Sequence, residues 1–129
     1  MALTYRGERG RGEFRAMGCA SCHRPALVTG QNRVRALDRR VVVAYTDLLL
    51  HDMGASRADI CLGQASPSEF RTEPLMGLRF VKQLMHDGAA GTIEQAIELH
   101  DGEAARARES FARASPAARE ALLEFLRSL

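Results

Sequence analysis

Residues 19–23 read Cys19-Ala20-Ser21-Cys22-His23. Two thiols separated by two residues, with a histidine directly after the second, form the attachment signature of c-type haem. At this spacing both cysteines can add to the vinyl groups of one porphyrin. His23 then lies beneath the iron as its proximal ligand. A chain tied in this way must enclose a large flat apolar body, and that constrains the fold more than any other feature here. The residue opposite His23 decides whether the iron only moves electrons or also does chemistry.

Two other chemistries use a C-x-x-C pair. A thioredoxin-like redox pair sits near a βαβ pattern, and the flanks GERGRGEFRAMG and RPALVTGQNR are not strand-like. A zinc site needs a second compact Cys/His pair. The third cysteine, Cys61, has no C-x-x-C partner and reads as a packed or stray thiol.

The chain has 129 residues, enough for one domain (1–129) with a real core. It contains no tryptophan and only 5% aromatic residues, so a haem would supply much of the flat apolar bulk such a core needs. The net charge is +2, with basic and acidic residues interleaved. Arginines are not gathered with aromatics between them, which argues against nucleic-acid binding, and Arg6, Arg9 and Arg11 read as a solvated N-terminal face. The longest apolar stretch, residues 41–50, is broken by Thr46 and Asp47, so no membrane span is expected. MALTYRGERG lacks the apolar region of a signal peptide. Covalent haem attachment nevertheless takes place outside the cytoplasm. We therefore expect a periplasmic protein, represented here by an excised domain or a mature form with an added Met1.

The pattern is helical with long loops. Gly10 and Phe14 lie in a segment that reads as a short N-terminal helix. Ser115-Pro116 is a strong helix start, with Ser as N-cap and Pro at the first helical position. Ala118, Leu122, Phe125, Leu126 and Leu129 then recur at helical spacing. The absence of a side chain at Gly10 would let the last helix cross the first closely. Thr92-Ile93-Glu94-Gln95 is a capping box. After it Ile93, Ala96, Ile97 and His100 share one face, which turns His100 inward. Gly102 is expected to end or kink this helix, and residues 103–112 to start another. Residues 41–45 resemble a strand, but one short run cannot make a sheet.

The sixth iron ligand can be a His nitrogen or a Met sulfur. The candidates are His51, His86, His100, Met53, Met76 and Met85. Methionines serve more often as core filler. Spacing does not choose among the candidates, and position on a well-signalled helix face favours His100.

Taken together, these segments resemble the C-terminal haem domain of the bacterial di-haem oxidoreductases, a family related to the di-haem cytochrome c peroxidases. The resemblance rests on an ordered series: CASCH (19–23), YTDLLLHDMG (45–54), EFRTEPLMG (69–77), HDG (86–88), TIEQAIELHDGEA (92–104) and SPAAREALLEFLRSL (115–129). It implies an all-α, cytochrome c-like fold, with terminal helices crossing and long loops around one haem c. Cys19 and Cys22 match the haem-linking cysteines and His23 the proximal ligand. The distal ligand of the related electron-transfer haem falls on His100. His86 matches the HDG histidine, which implies a supporting or propionate-side role, and Arg71 matches a basic position near a propionate. Positions used for calcium in the related peroxidases read Val81 and Gln83 here, so no calcium is expected. Met76 stands where the closer family usually has Trp, and Ala89-Ala90-Gly91 follow HDG where it tends to have arginine. One CxxCH implies that a second haem belongs to another domain of a parent protein.

Three functions follow as expectations. The first is a mono-haem electron-transfer domain that relays electrons in a di-haem oxidoreductase or peroxidase. Its partners would be the second haem domain and a small redox protein acting as donor or acceptor. The second is a peroxidase in its own right, with a vacant sixth position and a histidine acid/base. The third is a thiol/disulfide oxidoreductase, open only to a haem-free chain because attachment consumes both thiols.

Overall fold

The computed structural model describes residues 5–60 and 63–129. Cys61, and the side chain of Arg6, lie outside the described set. Helix α1 (Tyr5–Ala16) opens the chain. Three helices close it: α2 (Ile93–Glu98), α3 (Ala105–Arg113) and α4 (Pro116–Arg127). Between α1 and α2 lie short 3-10 turns, long loops and two antiparallel ribbons. Strand β1 (Leu27–Val28) pairs with β2 (Val41–Val42), placing Leu27 opposite Val42. Strand β3 (Leu50–Asp52) pairs with β4 (Glu69–Arg71), placing His51 opposite Phe70. The strand-like residues at 41–42 therefore do find a partner. It is Leu27–Val28, a two-residue run too short to signal in sequence.

Helix α4 forms as its local signals require. The Ser115 side chain accepts from the Ala118 amide at 3.3 Å, and Pro116 needs no donor in the first turn. Its buried stripe is Ala118, Ala121, Leu122, Leu123, Phe125 and Leu126. Helix α1 is poor in apolar residues and contains Gly7, Gly10 and Gly12, which disfavour a helix in isolation. Pairs between Glu8 and Arg11 (2.6 Å) and between Arg9 and Glu13 (3.6 Å) add little at the surface. Packing on α4 holds it instead. A Cβ at Gly10 would run into the Ala121 carbonyl and stand 2.7 Å from Cβ of Phe125, so only glycine lets the helices cross this closely.

The core lies at this crossing. Phe14, Tyr45 and Phe125 meet edge to face, with ring centroids 5.5–5.8 Å apart. Met17, Phe111, Leu122 and Leu126 complete the cluster. The loop carrying Tyr45 is sewn to a later one. Buried Thr46 donates to the Thr72 carbonyl at 2.7 Å, and the Leu75 amide donates to Ala44 at 3.0 Å.

The capping box at α2 forms in part. Thr92 accepts from the Gln95 amide at 3.1 Å, but the Gln95 side chain reaches the Gly91 amide rather than that of Thr92. The helix stops at Glu98, earlier than Gly102, and α3 begins at Ala105.

Two glycine substitutions separate propensity from packing. Gly10→Ala should destabilise the protein by about 2 kcal/mol through the backbone clash, despite better helix propensity. Gly12→Ala, with open space around it, should instead stabilise by about 0.5–1 kcal/mol. Denaturant midpoints of the two variants would show opposite signs, and equal signs would disprove the close crossing as the reason for Gly10.

Candidate functional site

A single 3-10 turn, Cys19–Ser21, follows α1 after Gly18, whose φ is 91°. The His23 amide donates to the Cys19 carbonyl at 3.0 Å, which folds the motif back on itself. The His23 ring then meets the Tyr45 carbonyl, 3.1 Å from Nδ1. A carbonyl only accepts, so the proton sits on Nδ1 and Nε2 keeps its lone pair. The acceptor is itself held firmly. Tyr45 has φ 54°, an unusual value for a side-chain-bearing residue, and its ring is wedged between Phe14 and Phe125.

His100 lies just past α2, after the C-cap Leu99, rather than on the helix face where the sequence spacing placed it. Its Nδ1 lies 2.6 Å from the Ala96 carbonyl, so the same reasoning leaves its Nε2 free. The rings of His23 and His100 have centroids 6.4 Å apart and planes 49° to one another. Two metal–imidazole bonds of about 2 Å, with the ring radii, put such centroids roughly 6 Å apart. The spacing therefore fits one metal ion between the two imidazoles. The donor set fits as well, because metal-ligating histidines characteristically donate the other ring N–H to a carbonyl or carboxylate. Burial pushes the His23 imidazole down to about 4, against the opposing pull of the Tyr45 carbonyl. Burial also lowers His100, against the Ala96 carbonyl. Both rings are neutral near pH 7, the form a metal requires.

The two thiols are not activated. Burial raises Cys19 to about 11. Cys22 is raised by burial and by the nearby charges of Asp47 and Glu103. A thiol that attacks disulfides needs the opposite surroundings.

The other histidines are engaged elsewhere. His51 uses both ring nitrogens, Nε2 with Asp47 at 2.9 Å and Nδ1 with Glu103 at 2.8 Å. Glu103 also accepts from the Asp52 amide at 2.9 Å. Gly102 supports this junction. Its φ is 55°, and a Cβ there would strike the Asp52 carbonyl. The segment carrying His100 is thus fastened to β3 immediately beyond the histidine. His86 stacks on Phe70, with ring centroids 4.1 Å apart, and its Nε2 lies 3.1 Å from Asp59. Arg71 is exposed at the end of β4 and pairs with Glu73 at 3.4 Å. Neither His86 nor Arg71 bonds or stacks with His23 or His100. The Glu73 backbone, two residues beyond β4, is near enough to the His23 ring to oppose the effect of burial on it, as the Tyr45 carbonyl does.

Sequence reasoning missed the bracket of Asp47, His51 and Glu103. The carboxylates next to the histidines in sequence drew attention, yet the partners of His51 lie 4 and 52 residues away. Ligand atoms of Cys22, Asp47 and His51 also fall within 4.8 Å of one another, but both His51 nitrogens are already engaged by Asp47 and Glu103.

The bracket has a defined pH range. Its partners Glu103 and Asp47 raise His51 above its usual 6.5. Burial would raise Asp47, but the Leu49 amide, His51 and Thr72 outweigh it and hold the carboxyl at about 2. His51 lowers Glu103 from its usual 4.5. The histidine's contribution is complete below 6.5 and lost as pH rises through its elevated folded value. The carboxylates' contribution is complete above 4.5 and lost as pH falls through their depressed values. The bracket's contribution to thermal stability should therefore be greatest between 4.5 and 6.5, while the buried neutral His23 and His100 lower overall stability as pH falls below 6.5. The difference in melting temperature between wild type and His51→Ala should be largest in that range, and a difference that does not vary with pH would show that the bracket does not supply it.

Comparison with known proteins agrees with the geometry. A family model described as "Di-haem oxidoreductase, putative peroxidase" matches residues 5–129. The chain is also similar to cytochrome c551 peroxidase of Nitrosomonas europaea, with 26% identity over 97 residues. That alignment covers 75% of this chain and 27% of the relative, so the chain spans about a quarter of the relative's length. No solved structure matches. Among the described residues no helix is long and apolar enough to cross a membrane. The resemblance read from the ordered motifs is borne out: the chain belongs to the di-haem oxidoreductase family of haem-binding proteins.

Proposed function

We propose that the chain is a c-type cytochrome domain that would carry one covalent haem, with His23 and His100 as the residues that would hold its iron, and that it relays electrons within a larger di-haem oxidoreductase. One observation carries this reading. Among four histidines, His23 and His100 face each other at 6.4 Å with both Nδ1 atoms tied to backbone carbonyls. His51 has no free nitrogen for a metal, and His86 stands against Phe70 and Asp59.

When bound, haem supplies a one-electron couple whose potential depends on axial ligation, burial and hydrogen bonding. Cys19 and Cys22 would hold the porphyrin by thioether bonds. The Tyr45 and Ala96 carbonyls orient the two imidazoles and strengthen them as ligands. The bracket at His51 limits movement of the His100 segment, which favours similar geometry in both oxidation states. Two imidazoles also leave no open position for peroxide, so peroxide chemistry would belong to the second haem domain of the parent protein. Arg71, near the end of β4, is the candidate propionate partner, with His86 as a supporting residue at the HDG turn. The fold we assign is cytochrome c-like, and the location is periplasmic, where haem attachment takes place.

Absorption spectra of protein matured with haem-attachment machinery test this directly. The wild type should be low-spin in both oxidation states, and His100→Ala should turn the ferric form high-spin. Cys19→Ala with Cys22→Ala should abolish covalent haem. An unchanged low-spin His100→Ala spectrum would sink the ligand assignment, and a high-spin wild type would move the reading to a peroxidase.

A further inference from the structure

The ribbon of β1 and β2 and the segment joining them form an ordered projection. Thr29 organises it: its amide donates to the Arg40 carbonyl at 2.8 Å, its hydroxyl donates to Leu37 at 2.6 Å, and that hydroxyl accepts from the Arg40 amide at 2.7 Å. The Asn32 amide donates to Asp38 at 2.9 Å, and the Asn32 side chain accepts from Val34 at 2.8 Å. Preorganisation of this kind is unnecessary for a mere spacer.

Its surface is unusual in two respects. Val28 and Val41, opposite one another in the ribbon, are each 67% exposed, and Val34, Leu37 and Val43 are more than half exposed. The same segment carries Arg24, Arg33, Arg35, Arg39 and Arg40, all exposed, with Asp38 as its single acidic residue. Residues 24–40 thus carry +4 in a chain of net +2, leaving −2 for the remainder. Among the described residues none of these five arginines has a carboxylate at ion-pair distance; the Arg40 guanidinium donates to the Arg35 carbonyl at 2.9 Å. Elsewhere Arg57, Arg71, Arg108, Arg113 and Arg127 each have one, while Arg15, Arg79, Arg106 and Arg119 are scattered singly over other elements with none among the described residues. The basic excess of the chain is thus concentrated in this one exposed segment.

The base of the projection is the frame of His23. Pro25, two residues after the histidine, accepts from the Tyr45 amide, and the Tyr45 carbonyl faces the His23 ring. A protein seated on the projection would lie against the proximal side of the site.

We propose that residues 24–43 form a docking surface for a separate acidic redox protein. Exposed valines and leucine make the apolar centre, and the unpaired arginines form a rim that steers an acidic face. Arginine with an apolar centre is the composition of protein interfaces, and charge complementarity of this kind sets association rate and orientation. The inference rests on the electron-transfer reading for its choice of a redox partner; the acidic charge of that partner follows from the arginines themselves.

Calorimetric titration of the haem-matured chain with a plant-type [2Fe–2S] ferredoxin, a small acidic redox protein, tests the surface. A basic c-type cytochrome serves as the opposite-charge control. The wild type should bind the ferredoxin at about 20 mM salt, weaken strongly at about 300 mM, and ignore the basic cytochrome. Combined Arg33→Glu, Arg35→Glu and Arg39→Glu should weaken binding at least tenfold, and the same positions changed to Lys should restore it. Arg15→Glu, Arg106→Glu and Arg113→Glu, with the same net charge change on α1 and α3, should stay within about threefold. The Lys variant keeps the test valid should the Glu variant fold poorly. No wild-type binding, an unaffected Glu variant, or an equal loss in the helix control would overturn the proposal. Missing haem absorption in the same samples would instead overturn the electron-transfer reading.

Discussion

The seating of Tyr45 is the constraint on which the rest of the structure depends. Its ring closes an edge-to-face trio with Phe14 of α1 and Phe125 of α4, and its carbonyl orients His23. The backbone there is strained: φ 54° costs on the order of 1–2 kcal/mol for a residue with a side chain. Two aromatic contacts of about 0.5–1.5 kcal/mol each, added to ring burial, outweigh that cost. The hydrophobic core and the chemistry of the site are therefore one assembly. The crossing of the terminal helices fixes the ring, and the ring fixes the acceptor that sets the tautomer of His23.

His100 is positioned by a different device. A short capped helix presents it, and its own Ala96 carbonyl sets its tautomer. What holds this segment in place is polar, the bracket of His51 between Asp47 and Glu103, with Gly102 allowing the backbone of residues 52–54 to approach. One histidine is thus anchored by aromatic packing and the other by ionisable groups. The first anchor is insensitive to pH and the second is not. A conformational response of the site to pH would accordingly enter from the His100 side.

Much of the helical frame was legible in the sequence. The Ser115-Pro116 start, the apolar stripe of α4, the Thr92 cap and the role of Gly10 are local patterns, each readable because a helix repeats its geometry every few residues. The structure does bring the rings of His23 and His100 near one another, although His100 lies two residues beyond α2 and not on its inward face as the helical spacing suggested. The middle of the chain was less legible. Two-residue strands carry no periodic signal, and β1 was invisible until its partner was known. His86 and Arg71 were assigned from motif correspondence, and their observed partners, Asp59, Phe70 and Glu73, are set by loop geometry.

By itself, the sequence determined the identity of the chemistry: two thiols and a histidine at one spacing, helix ends marked by Ser, Thr and Pro, and a glycine where two helices cross. These are covalent and short-range facts, and no distant residue is needed to state them. Only the tertiary structure decided which histidine nitrogens stay free, because carbonyls from Tyr45 and Ala96 and carboxylates from Asp47, Asp59 and Glu103 compete for the rings. It alone also showed that, among the described residues, the five arginines of residues 24–40 have no carboxylate at ion-pair distance, whereas Arg57, Arg71, Arg108, Arg113 and Arg127 do. Hydrogen-bond and ion-pair partners are chosen by distance in space, and for these groups distance along the chain says little about it.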